Sequence, residues 1–160
     1  MKGPSGPQGQ TGQKVRLQMV LIIDIDGTIA ELTKEQKAFV KDKSGKTWDD
    51  DYYPYLPYQR PIRKNIRLVS ELMRYSFQSF FVTGRNEKYR VPTMNWLSNY
   101  FVNYQALLMR YDGDFRPNHE IKKGEFEAIE KAYGPTSYLV FEDDLECRSM
   151  YKQQGCFLVI

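Results

Sequence analysis

Two aspartates one residue apart, Asp24 and Asp26, interrupt the apolar run LIIDIDGTIA. A carboxylate can attack phosphorus, and a second one beside it can protonate the leaving oxygen and then take a proton from water. Both can face one crevice if the chain leaves strand geometry straight after the first acid, and Gly27 permits the tight backbone this needs. Thr28 and the amides that follow Asp24 are placed to bond phosphate oxygens. A bare Asp-x-Asp pair would read as an ordinary acidic turn. The apolar strand ahead of it and the Gly-Thr behind it make the pattern specific.

The elements that must position these acids follow from periodicity. VRLQMVLIID, from Val15, is an apolar run with the length of a central strand buried on both faces. IRKNIRLVSELMRY, from Ile62, has apolar residues at helical spacing behind Pro61. SFQSFFVTG is a second strand, and residues 87–101 are helical with Pro92 in or near the first turn. QALLMR is a third strand, HEIKKGEFEAIEKAYG a helix ending near Gly134, and SYLVFE a fourth strand. CRSMYKQQG then gives a helix and CFLVI a last strand. Alternating strands and helices predict an α/β fold, a doubly wound parallel sheet of order 3-2-1-4-5. In such sheets ligands bind at the carboxyl ends of the strands, where Asp24 and Asp26 lie. Glu31 to Arg60, polar and then rich in tyrosine and proline, has no period. It reads as a small insertion after the first strand, placed to lie over the active-site edge or to pack on the body.

The run DIDGT after a buried strand resembles the signature of the haloacid-dehalogenase-like (HAD) superfamily, and three further segments carry the resemblance. FFVTGR brings Thr83 and Gly84 to the end of the second strand, where that superfamily binds the transferring phosphoryl group through a hydroxyl. HEIKKGEF offers Lys122, with Lys123 as its competitor, for the lysine that holds phosphate and nucleophile together. SYLVFEDD ends the fourth strand with Glu142, Asp143 and Asp144, where the superfamily places acids for magnesium. The resemblance therefore implies a Rossmann-like HAD fold with Asp24, Asp26 and Lys122 as the catalytic residues. It also implies a Mg²⁺ cofactor held by Asp24, the backbone carbonyl of Asp26 and Asp143, with Glu142 and Asp144 adjacent. Such charge makes physical sense, since an anionic phosphate approaching an aspartate needs a cation and an ammonium to offset the repulsion.

A closer resemblance is to the 3′-phosphatase domain of phage polynucleotide kinase-phosphatases. It rests on TGRNEKYR, NWL and LLMRYDGDFRPNHEIKK, with Arg110, Gly113, Asp114, Arg116 and Lys122 in the matching pattern, and is weakest between Glu31 and Arg60. It implies a phosphorylated DNA or RNA end, or a nucleotide, as substrate. Arg85, Arg110 and Arg116 are the candidate phosphate grips, because guanidinium forks match phosphate oxygens. Tyr52, Tyr53, Tyr55 and Tyr58 can stack on bases or simply pack. His119, the one histidine, lacks any partner pattern of the metal or triad kind. No GxxxxGK[ST] loop occurs, so no kinase activity is expected of this chain, and a separate kinase chain stays open as a partner.

Composition narrows the class. With 160 residues, 41% hydrophobic, the chain is of single-domain size and can bury a core. A formal net charge of +3 permits an anionic substrate without requiring one. No apolar run reaches the roughly 20 residues of a membrane helix. Two cysteines, Cys147 and Cys156, are too few for a disulfide framework and suit a reducing cytoplasm, that of the host if the protein is phage-encoded. Residues 1–14 carry glycine at every third position from Gly3, a collagen-like period. They read as a disordered tail ahead of a phosphatase domain spanning 15–160, or as the end of a longer trimerising segment. Two other functions remain: a phosphatase of free nucleotides or small phosphate esters, and a non-catalytic module on a trimeric assembly.

Overall fold

A computed structural model describes residues 19–34, 53–76, 78–134 and 136–160. The collagen-like segment 1–14, the first residues expected in the leading strand, and Tyr52 within the insertion lie outside the described residues, as do the side chains of Tyr53 and Tyr55.

Five strands form one parallel sheet: β1 (Met19–Ile23), β4 (Gln78–Asn86), β5 (Ala106–Arg110), β6 (Ser137–Phe141) and β7 (Phe157–Leu158). Their order in space is β5-β4-β1-β6-β7, the 3-2-1-4-5 arrangement of a doubly wound sheet. β1 is central because it is apolar at every position that matters. Val20, Leu21, Ile22 and Ile23 are all buried, and its two neighbours pair with it in parallel register. Alternate residues feed opposite faces. Leu21 and Ile23 join a core with Phe81, Trp96, Leu97, Phe101 and Phe141. Val20 and Ile22 join another with Val82, Phe126, Ile129, Val140 and Tyr151.

Among the described residues four helices cover these faces: α1 (Arg63–Met73), α2 (Arg90–Ser98), α3 (Asn118–Tyr133) and α4 (Leu145–Gln153). α1 and α2 supply Val69, Trp96 and Leu97 to the first core, and α3 and α4 supply Phe126, Ile129, Met150 and Tyr151 to the second. Boundaries differ from the sequence reading where local polar groups intervene. Residues 87–89 form a 3₁₀ turn, with Asn86 Oδ1 accepting from the Lys88 amide, before α2 begins. α4 starts two residues earlier than expected because Asp144 Oδ1 accepts from the Cys147 amide at 2.9 Å and caps it. The last strand is shorter than CFLVI: its ladder with β6 holds Phe157 and Leu158, and one further bond runs from the Val159 amide to the Val140 carbonyl at 2.9 Å.

The insertion is tied at its base. Ala30–Glu31 (β2) pairs antiparallel with Arg60–Pro61 (β3), and the Ile62 amide donates to the Ile29 carbonyl at 2.8 Å. A 3₁₀ segment, Tyr53–Tyr58, precedes β3 and buries Leu56. Among the described residues no helix is long and apolar enough to cross a membrane.

Cys147 and Cys156 are free and buried. Burial pushes the Cys156 thiol up to about 12 and Cys147 further still, so neither forms thiolate near neutrality. Both should resist a water-soluble disulfide reagent at pH 8 in the native protein and react fully in denaturant. Rapid labelling of the native protein would contradict this packing.

Candidate active site

The site assembles where β1, β4 and β6 end. The Asp24 amide still bonds to the sheet, donating to the Phe141 carbonyl at 2.9 Å. The chain then turns tightly: the amides of Thr28, Ile29 and Ala30 all converge on the Ile25 carbonyl. Gly27 makes the turn possible with φ +83°, and a Cβ there would lie 2.0 Å from Asp143 Oδ2. Glycine is required both by the backbone and by the acid pressed against it.

Asp24 is buried, and its two oxygens have different partners. Lys122 Nζ donates to Oδ1 at 2.7 Å, and the Thr28 hydroxyl lies 3.1 Å from Oδ2. Lys122 occupies an inward position of α3, next to buried Ile121 and four residues before buried Phe126. The same ammonium donates to Glu142 Oε2 at 2.6 Å. Lys123 points outward and pairs loosely with Glu127 at 3.8 Å. Burial alone would drive the Lys122 ammonium down, but the carboxylates of Asp24 and Glu142 outweigh it and hold it well above its usual value. Burial, then the charge of Asp24, pushes Glu142 up to about 7. Burial likewise pushes Asp24 up, against the pull of Lys122.

Oxygens of Asp24, Glu142 and Asp143 lie within 4.8 Å of one another. Asp143 is exposed, and Thr28 Oγ1 sits 3.1 Å from its Oδ1 as well as from Asp24. A compact set of hard oxygen donors, one of them open to solvent, fits a small divalent cation such as Mg²⁺. Glu142 is the more engaged of the three: Oε2 holds Lys122 and Oε1 accepts from the Asp144 amide at 3.1 Å. Asp144 uses Oδ1 on the α4 cap, and the Cys147 amide holds its carboxyl below the usual range.

Asp26 faces a different group. Arg85 Nε and Nη2 each donate to one of its oxygens at 2.8 Å, a two-pronged ion pair. Arg85 is 1% exposed, with Nη1 donating to Thr93 Oγ1 at 3.1 Å and Nη2 also to Gln59 Oε1. Gln59 Nε2 donates to Asp26 Oδ1 at 2.8 Å, and its carbonyl accepts from Trp96 Nε1 at 3.1 Å. The fork expected on phosphate is thus turned onto Asp26. Gln59 and Thr93 carried no sequence signal, because a lone glutamine beside tyrosines and prolines looks like any surface residue, and Trp96 entered only within NWL, with no role attached. The short spacing from Gln59 to Pro61 is the one clue, since it places Gln59 at the root of the insertion.

Thr83 and Gly84 close β4. Thr83 is buried, with Oγ1 accepting the Arg85 amide at 3.2 Å. The β4–β5 register shifts between Thr83 and Asn86, which lets the chain leave the sheet there. Arg110 does not extend into open space. Nε donates to the Gly84 carbonyl at 2.9 Å, Nη1 to the carbonyls of Asp114 and Arg116 at 2.9 and 2.6 Å, and Nη2 to Asn118 Oδ1. Arg116 pairs with Asp114 at 2.7 Å, and its hydrogen bonds bring the Asp114 carboxyl down to about 2. His119 lies 3.2 Å from Glu146, and Tyr58 is exposed; neither lines the cavity. That cavity, about 730 Å³, runs from Asp24, Asp26, Lys122 and Asp143 past Thr83 and Arg85 to residues 110–118.

The same span of chain that builds this site, residues 18–158, matches the family model of the polynucleotide kinase PNKP phosphatase domain. The chain belongs to this family. As a PNKP-type phosphatase domain it also shares its fold with solved structures. One, from the Pnkp1/Rnl/Hen1 RNA repair complex, superposes with a TM-score of 0.68 at 23% identity, covering 93% of this chain and 44% of that one. A second structure of a Pnkp1/Rnl/Hen1 complex gives 0.67 at 21%, covering 92% and 47%. The chain thus spans less than half the length of these relatives. No curated protein sequence matches it.

Two glycine variants separate backbone cost from site damage. Gly27→Ala and Gly155→Ala each force a left-handed backbone, worth about 1–3 kcal/mol, but only at Gly27 does the new carbon meet Asp143. Chemical denaturation should show a larger loss for Gly27→Ala, and that variant alone should lose phosphatase turnover. Equal losses in both measurements would contradict the tight Gly27–Asp143 approach.

Proposed function

We propose that this phosphatase domain is Mg²⁺-dependent, works through an aspartyl-phosphate intermediate, and removes the 3′-phosphate from polynucleotide ends. The observation that carries the proposal is the buried Lys122 ammonium, bonded at once to Asp24 and Glu142 beside the exposed Asp143. Asp24, the Asp26 carbonyl and Asp143 would hold the cation, which supplies positive charge against the phosphoryl oxygens. Glu142 fixes Lys122, and Asp144 holds the start of α4.

In the first half, an Asp24 oxygen forms a bond to phosphorus while the bond from phosphorus to the sugar oxygen breaks. Asp26 gives that oxygen its proton. In the second half, Asp26 takes a proton from water, the water oxygen attacks phosphorus, and inorganic phosphate leaves with Asp24 restored. Arg85 and Gln59 fix the direction of the Asp26 carboxyl for both proton transfers. Thr83, Gly84 and Thr28 border the position of the phosphoryl group. Arg85 acts on it through Asp26 and Arg110 through the wall it secures, which leaves Arg116 as the exposed guanidinium for a substrate phosphate.

The polynucleotide end is supported by the family, by the repair complexes in which its fold relatives occur, and by the size of the cavity. The cavity runs on from the acid–lysine cluster to residues 110–118, room for a terminal nucleotide beside its phosphate. A reducing cytoplasm suits the two free thiols.

Turnover of a 3′-phosphorylated oligonucleotide should require Mg²⁺, stop on chelation, and fall by at least about a thousandfold in Asp24→Asn. Equal or faster hydrolysis of 3′-mononucleotides would favour the small-ester reading instead. Arg85→Lys keeps one charge but loses the fork. It should lower kcat far more than it raises KM, and lower the melting temperature. An unchanged kcat would remove Arg85 from the positioning of Asp26.

A further inference from the structure

The wall formed by residues 111–117, between β5 and α3, is more ordered by polar contacts than a loop needs for connection alone. Arg110 bonds two of its carbonyls and the Asn118 side chain beyond it. Asp114 receives both the backbone amide and the guanidinium of Arg116. The loop therefore presents a fixed surface to the cavity. On that surface the ring of Phe115 is 89% exposed, yet it lines the same cavity as Asp24 and Lys122.

A single exposed apolar residue is unremarkable on a protein surface. Phe115 differs in its setting. Its neighbours on the loop, Asp114 and Arg116, are charged, it stands on backbone held by Arg110, and it borders one continuous space with the reacting groups. A rigid aromatic face beside a phosphate site suits a flat, uncharged π-system joined to that phosphate by a sugar. Every nucleobase offers such a face, so recognition by stacking tolerates any sequence at the end.

We infer that Phe115 is the stacking platform for the base of the terminal nucleotide that carries the scissile phosphate, an assignment that rests on the polynucleotide-end reading. The ring orients the nucleotide while Arg110, behind it, keeps the platform in place. Arg110 is a positioning residue in this arrangement and Phe115 a specificity residue.

The test compares two oligonucleotides with a 3′-phosphate, one ending in an ordinary nucleotide and one whose last sugar lacks its base. Each is turned over by the wild-type chain, Phe115→Ala and Phe115→Trp, with Mg²⁺. The wild type should show a KM about tenfold lower for the base-bearing end, the span of one base–aromatic stack. Phe115→Ala should raise that KM about tenfold and treat both ends alike, while Phe115→Trp keeps the preference. Phe115 is exposed and adds nothing to either core, so the alanine variant keeps its fold, and its melting curve checks this. If Phe115→Ala discriminates as the wild type does, or the wild type does not discriminate, the platform is overturned. If the wild type hydrolyses small esters and neither oligonucleotide, the polynucleotide reading itself fails first and the platform falls with it.

Discussion

Lys122 is a buried ammonium held between two carboxylates, and the site is arranged around the need to keep it there. An amine taken out of water without partners would lose its proton. Here Asp24 and Glu142 approach it at 2.7 and 2.6 Å, from the ends of neighbouring parallel strands. The parallel pairing of β1 and β6 is what brings those two acids to the same edge. α3 must then pack so that Lys122 points inward alongside Phe126. A buried charge cluster of this kind adds little net stability, because desolvation offsets most of the attraction. Its justification lies in the chemistry it permits, which accords with the common conflict between site and stability.

A second polar chain ties the insertion to the same edge. Asp26, Arg85, Gln59 and Trp96 connect the loop after β1, the end of β4, the root of the insertion and α2. Each step is a directed hydrogen bond in a buried or half-buried place, where misalignment is costly. The orientation of Asp26 therefore depends on residues from four parts of the chain. Arg110 plays a comparable part on the other side, holding the 111–117 wall through backbone carbonyls. Two of the arginines nearest the phosphate position thus serve to hold protein groups, and a third, Arg116, is partly engaged by Asp114.

Family membership and the shared fold narrow the chemistry, but a fold hosts many activities and the site must carry the function. The relatives of known structure named above are chains about twice as long, within assemblies that include other proteins. What this chain holds by itself is the acid–lysine cluster and the cavity leading from it.

The order of elements, the central strand and the sheet order were legible from the sequence because they follow from local periodicity and from the rule that alternating strands and helices wind in one hand. The grouping of Asp24, Thr83, Lys122 and the Glu142–Asp144 run was expected from the HAD resemblance, and each does follow a strand or open a helix at the carboxyl edge of a parallel sheet. The same resemblance favoured Lys122 over Lys123, and the rotation of α3 is what turns Lys122 inward. The destinations of Arg85 and Arg110 were not legible at all. A guanidinium bonds a carboxylate, a carbonyl or a phosphate with similar geometry, and sequence does not say which acceptor lies within reach. Local chemistry in the sequence determined which residues could react. Tertiary structure decided which of them meet, and which are already bonded, because those bonds join residues dozens of positions apart and exist only when separate elements pack.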